Sequence, residues 1–125
     1  MARIDRNSVA YTLRWLNNPI KLRDSALVNL PAVQLRLRDG QGDRFTPSYI
    51  LRDFIRACCQ RLDSIETTDK TLLLALAFLR LYSTDPNATR AARSLNIGHS
   101  CLYDTVMPMA LDLLTEEMQI RAGAE

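Results

Sequence analysis

Turn formers are scarce in this chain: glycine occurs 4 times and proline 5 times in 125 residues. That argues against a turn-rich β fold and for helices. Cysteine occurs 3 times, as Cys58, Cys59 and Cys101, with two of them adjacent and no CxxC spacing. This excludes a disulfide framework and a zinc ribbon. The longest greasy run, LLLALAFL from Leu72 to Leu79, is too short to span a bilayer. The first ten residues, MARIDRNSVA, hold no apolar core of the kind a signal peptide needs. A reduced, cytoplasmic setting without a membrane is therefore expected. One further scarcity is local. From Ser94 to Ile120 there is no lysine and no arginine.

Apolar residues make up 47% of the chain and charged residues 24%. That is enough apolar side chain for a core, and the length suits one compact domain. The net charge of +2 implies no partner by itself. Its distribution says more. Up to Arg61 there are eleven basic residues against five acids, and from Leu62 onward five against nine. Such an asymmetry orients a molecule toward an anion, pairs two copies head to tail, or is the ordinary scatter of a solvated surface.

The patterning predicts an all-α fold, a compact bundle of five to six helices. An N-terminal helical segment occupies residues 1–38, a helical core residues 46–120, and a tail residues 121–125. SVAYTLRWLNN forms a first helix capped by Asn7 or Ser8, with Val9, Leu13 and Leu16 inward and Trp15 on the flank. A short helical piece comes next, around RDSALVNL. Pro31 suits a helix start, yet Val33, Leu35 and Leu37 alternate with polar residues as a strand does. The segment is read as helix because no partner strand is evident. DGQGD, residues 39–43, is the expected boundary loop.

Thr46 and Pro47 open the next helix, whose stripe is Ile50, Phe54, Cys58 and Leu62, widened by Leu51, Ile55 and Ile65. Cys58 and Cys59 read as small core hydrophobes. DKTLLLALAFLRLYS is apolar nearly all round, which places it at the centre of the domain, with Asp69 or Thr68 as its cap. Pro86 breaks it and Asn87 caps the next helix.

The last third carries the functional signal. Ala92-Arg93-Ser94-Leu95 closes a short helix. Asn96, Ile97 and Gly98 make a turn, and an apolar-striped helix starts at His99. Ala92 is small where two helices cross, Leu95 and Ile97 plug the core beneath the turn, and Asn96 tolerates the left-handed conformation that ends a helix. Leu102 and Val106 pin the second helix inward.

This stretch resembles the helix-turn-helix of sigma factor region four and its relatives among bacterial regulators. The resemblance covers about 25 residues of the C-terminal half, with the motif at 88–107. It implies a small DNA-binding or transcription-associated regulator; a dimer is expected, and the sparse chemistry of the chain leads us to expect no enzyme. The second helix would face bases with His99, Ser100, Tyr103 and Asp104. Three of these residues can hydrogen-bond base edges or phosphates, and Asp104 can accept from a cytosine amine while repelling the backbone. The family usually carries Ser or Thr where Gly98 stands, and an acid where Arg90 stands.

Phosphate attraction supplies most non-specific affinity. Here it has to come from Arg90 and Arg93 on the first motif helix, and from Arg52 and Arg56. The alternative is a non-catalytic interaction or oligomerisation module on a helix-turn-helix scaffold that does not bind DNA.

Pro108 lies inside the last helix and should kink it. Beyond it, Ala110, Leu113, Leu114 and Met118 form one stripe, either core or the seam for a second copy or a protein partner. Chemistry is sparse. His99, the only histidine, would need an orienting carboxylate and a nucleophile, and Cys101 and Asp104 leave a helix in other directions than it does. Asp112 and Glu116 are an i, i+4 pair that reads as a solvated acidic face. No phosphate loop or zinc spacing occurs, so neither cofactor nor metal is expected.

Overall fold

The computed structural model describes residues 4–31, 33–34 and 46–124, with side chains as far as Ala122. Its elements are α1 (Arg6–Arg14), α2 (Pro19–Arg23), a 3-10 turn (Ala26–Asn29), α3 (Thr46–Asp63), α4 (Lys70–Thr84) and α5 (Ala88–Leu95). A last helix, α6, runs without a break through an α-helical start (His99–Cys101), a π turn (Leu102–Val106) and a long α-helical part (Met107–Ala124). The described residues contain no strand, and the fold is all-α. Val33 and Gln34 are helical; the rest of the alternating segment and the expected boundary at 39–43 lie outside the described residues. Helical structure continues through Arg121 to Ala124, past the expected end at Ile120.

Side-chain caps set most of the helix starts. Asn18 accepts from the Lys21 N–H ahead of Pro19, Asp69 from Leu72 and Asn87 from Arg90. α1 differs from expectation. Its cap is Asp5, which accepts from the Ser8 N–H at 2.7 Å, so the helix begins before Asn7 and Ser8.

One core joins both parts of the chain. Val9, Leu13 and Leu16 of α1 and Leu22, Leu27 and Leu30 behind it pack into the same cluster as Phe54, Phe78 and Leu114. α6 is the element that α1, α3 and α4 all pack against. Its stripe residues Ala110, Leu114 and Met118 are completely buried, and Leu113 is half-buried. The stripe is core, so a partner seam along it is closed.

α4, expected at the centre, is covered only in part. It packs on α3, α5 and α6, but Leu73 is 47% exposed. Ile65, expected on the α3 stripe, lies beyond the end of that helix and is 41% exposed. Together with Leu74, Leu76 and Ala77 these residues line an open groove of about 620 Å³ rimmed by Asp63, Lys70 and Arg80.

Polar groups tie the N-terminal elements down. The Thr12 hydroxyl donates to the Ser8 carbonyl at 2.7 Å, so its one proton is used there. The buried Ser25 hydroxyl therefore donates to Thr12 Oγ1 at 2.6 Å and accepts from the Leu27 N–H. Ser48 Oγ reaches from α3 to the Pro19 carbonyl at 2.7 Å. Thr12→Val keeps the shape but strands the Ser25 proton. Chemical denaturation should show a loss of about 1–3 kcal/mol.

The cysteines divide by burial. Cys58 and Cys59 are buried and Cys101 is exposed. Burial, and then the neighbouring Cys58, push the Cys59 thiol up to about 12, against a smaller opposing pull from a Ser83 hydrogen bond. The thiolate is the reactive species. A thiol reagent at pH 8 should therefore label the folded chain once, at Cys101, and label all 3 cysteines only after unfolding.

Candidate nucleic-acid interface

The turn between α5 and α6 is built by backbone hydrogen bonds. Asn96 takes the left-handed conformation, φ 57° and ψ 46°, and is the only non-glycine residue with positive φ among the described residues. Its N–H bonds the Arg93 carbonyl at 3.1 Å, and the Ile97 N–H bonds the Ala92 carbonyl at 3.0 Å. This pair of bonds is a Schellman closure, and Ile97 packs against the core beneath it. Gly98 caps α6 through its backbone alone, with no side-chain hydrogen bond. Ala91 and Ala92 are buried where α5 meets the rest of the molecule.

The start of α6 then projects. Leu102 and Val106 are fully buried, while His99, Ser100, Tyr103 and Asp104 are all exposed. The His99 and Tyr103 rings lie nearly parallel, 13° apart, with centroids 6.1 Å apart, as one helical turn allows. All four residues expected to face bases thus share one open face. Met107, one turn beyond Tyr103, is half-buried.

Pro108 is accommodated by a π turn just ahead of it. The Met107 N–H bonds the Leu102 carbonyl, five residues back. A π turn is wider than an α turn and eases the clash between a proline ring and the preceding turn.

The expected phosphate contacts stand apart from one another. On α5, Arg90 is exposed and holds Asp85 with two hydrogen bonds, at 2.7 and 2.9 Å. The hydrogen bonding and the charge of Asp85 raise the guanidinium pKa further, so Arg90 stays charged. Arg93 is exposed and has no carboxylate partner among the described residues. Arg56 donates to Asn17 Oδ1 at 2.9 Å, and the same amide donates to the Thr84 carbonyl at 3.0 Å. This ties Arg56 to the corner where α4 turns toward α5. Arg52 lies over the Tyr49 ring, 5.1 Å from its centroid, and pairs with Asp53 at 3.3 Å.

Arg14 carries no local mark in the sequence, yet the fold brings it to this face. Gln119 Nε2 donates to the Ile4 carbonyl at 2.9 Å. Arg6 donates to the Pro108 carbonyl at 2.9 Å and to Asp112 at 2.8 Å. α1 therefore runs antiparallel to α6. Eight residues of helix rise about 12 Å, which carries Arg14 away from Asp112 and Pro108 in the direction of the start of α6. Tyr82 agrees with this placement. Burial raises its phenol pKa, the Arg14 guanidinium lowers it, and Tyr103 raises it, so all three sit within electrostatic reach. The position of Arg14 is set by the pairing of α1 with α6.

Two of the four acids of α6 are paired within the molecule. Asp112 pairs with Arg6, and the mostly buried Glu117 with Arg61 at 3.0 Å. The Asp112–Glu116 pair is thus no open carboxylate site, and no group of three or more metal-ligating side chains occurs among the described residues. No described helix is long and apolar enough to cross a membrane.

No family model matches the chain, and comparison with curated proteins and with solved structures returns no match.

The turn geometry makes opposite demands at its two ends. At Asn96 a Cβ is strained by the positive φ, so Asn96→Ala should lower stability by about 1 kcal/mol while Asn96→Gly is close to neutral. At Gly98 the backbone is extended, φ −78°, and an added Cβ meets nothing within 4 Å. Gly98→Ser supplies the missing cap and restricts the unfolded chain. Thermal melting should show a gain of roughly 0.5–1 kcal/mol.

Proposed function

We propose that this protein binds double-stranded DNA through the α5–turn–α6 motif, as a small transcription-associated regulator. The observation that carries the reading is the start of α6. Leu102 and Val106 hold it to the core while His99, Ser100, Tyr103 and Asp104 all face outward. A recognition helix has to combine these two properties. His99, Ser100 and Tyr103 offer donors and acceptors to base edges, and Asp104 accepts from a cytosine amine.

α5 supports the reading with Arg93, which has no carboxylate partner among the described residues, and with Arg90. The Arg90–Asp85 pair is exposed, so a phosphate can replace Asp85 at little cost. Arg56, at the α4–α5 corner, adds a third cation on the same side.

Binding to a labelled mixed-sequence duplex, measured by anisotropy across a salt series, tests this. The wild-type chain should bind with a log–log salt slope of about −0.9 per phosphate contact, and Arg90→Ala/Arg93→Ala should flatten it by about 1.8. Changing His99 and Tyr103 to Ala should erase preference among sequences and leave the slope in place.

One observation favours the alternative, a non-catalytic interaction module: the open apolar groove beside Ile65 and Leu73. A folded chain that fails to bind duplex at low salt would overturn the DNA reading and leave that module.

A further inference from the structure

We infer that the end of α1 and the start of α2 form a second contact surface for the same duplex. Arg14, Trp15 and Lys21, with Arg56 of α3 beside them, would take its sugar–phosphate backbone. The inference rests on the DNA-binding reading and adds to it a partner-facing surface outside the helix-turn-helix.

The first argument is how the cations are partnered. Among the described residues, Arg6, Arg52, Arg61, Arg80 and Arg90 each have a carboxylate within 4 Å. Arg14 and Lys21 have none. They lie instead over the Trp15 ring, at 5.2 Å and 5.6 Å from its centroid. Arg56 rests on the neutral amide of Asn17. These three positive charges therefore gather along one short stretch without local neutralisation. The nearest acids in sequence are Asp53, which Arg52 already holds, Asp24, past the end of α2, and Asp5, which caps the other end of α1.

The second argument is organisation. Trp15 is half-buried and gives both cations one rigid platform. The Tyr11 hydroxyl donates to the Lys21 carbonyl at 3.0 Å and closes α1 against α2. Asn17 ties the same stretch to Thr84, where α4 ends. Arranged this way, the cations lose less freedom when they engage an anion than scattered lysines would.

The third argument is position. The antiparallel pairing of α1 with α6 directs Arg14 toward the start of α6, within electrostatic reach of Tyr82. α6 itself carries no Lys or Arg from its start through Ile120. Asn17 bonds the Thr84 carbonyl and Arg90 holds Asp85, the next residue, so the Arg14–Lys21 stretch adjoins the cations of α5 and continues their surface.

Trp15 is the only tryptophan, so its emission reports this surface alone. Titrating the full chain with a labelled mixed-sequence duplex should change Trp15 emission with the same midpoint as the duplex anisotropy, and added salt should reverse both. Arg14→Gln/Lys21→Gln, with an unaltered circular-dichroism melt, should flatten the salt slope by about 1.8. If the double change loosens the fold, Lys21→Gln alone, at an exposed position, should flatten it by about 0.9. Duplex binding with unmoved Trp15 emission and an unaltered slope in the variants would overturn the second surface and leave the α6 reading intact. No duplex binding would overturn both. Tighter binding to a single-stranded oligonucleotide, with Trp15 quenched, would overturn the duplex assignment in favour of base stacking at this site.

Discussion

α6 has to satisfy two environments along one axis. From Ala110 onward one face of it packs against three other helices, and its buried residues recur at four-residue steps to Leu114 and Met118. That burial removes most of the freedom to rotate or slide, because any shift takes a fully buried side chain out of a close-packed site. The first two turns are then carried along by the same axis. They extend past the packed part with only Leu102 and Val106 for anchors, so their other residues face outward. The exposed face at His99 and Tyr103 is thus a consequence of packing that occurs seven or more residues later. The π turn sits at the join between the two regimes, where Pro108 cannot supply a backbone hydrogen bond in any case.

The charge asymmetry of the chain takes its meaning from the same arrangement. The basic N-terminal half and the acidic last helix meet inside one molecule, through Arg6 with Asp112 and Arg61 with Glu117. That use consumes acids of α6 and cations from the outer ends of α1 and α3. Among the described residues, the cations left without a carboxylate include Arg14 and Lys21, beside Trp15, and Arg93 on α5. Exposed pairs of this kind add little stability individually. Their effect is on where unneutralised charge remains.

Local features of the fold are legible in the sequence. Asp69 and Asn87 are readable as caps because a single side chain ahead of an apolar run decides the matter. The left-handed turn at Asn96 is readable for the same reason. Where several neighbours compete, the sequence misleads. Asp5, Asn7 and Ser8 are all good caps, and only the packing of Val9 and Leu13 sets which one starts α1. Periodicity over-extends helices, as at Ile65, since an apolar residue past a helix end still fits the stripe. It also cannot count neighbours. α4 is apolar nearly all round and reads as central, and it is packed on three helices, yet its first turns face the open groove. Arg14 is invisible for a deeper reason. Its place depends on a contact between the two ends of the chain, and no window of sequence contains both.

A recognition helix without lysine or arginine separates two roles that usually overlap. On the proposed reading, attraction to the polyanion comes from α5 and from the end of α1, while α6 contributes hydrogen-bonding groups and one acid. An aspartate near phosphates is repelled wherever no donor meets it, so Asp104 penalises wrong sites more than it rewards any site. Cations on the first motif helix set how tightly any duplex is held, and they carry no sequence information. Discrimination then rests on a few residues whose removal leaves general affinity in place. That separation distinguishes a DNA reader on this scaffold from a packing unit that has merely kept the turn.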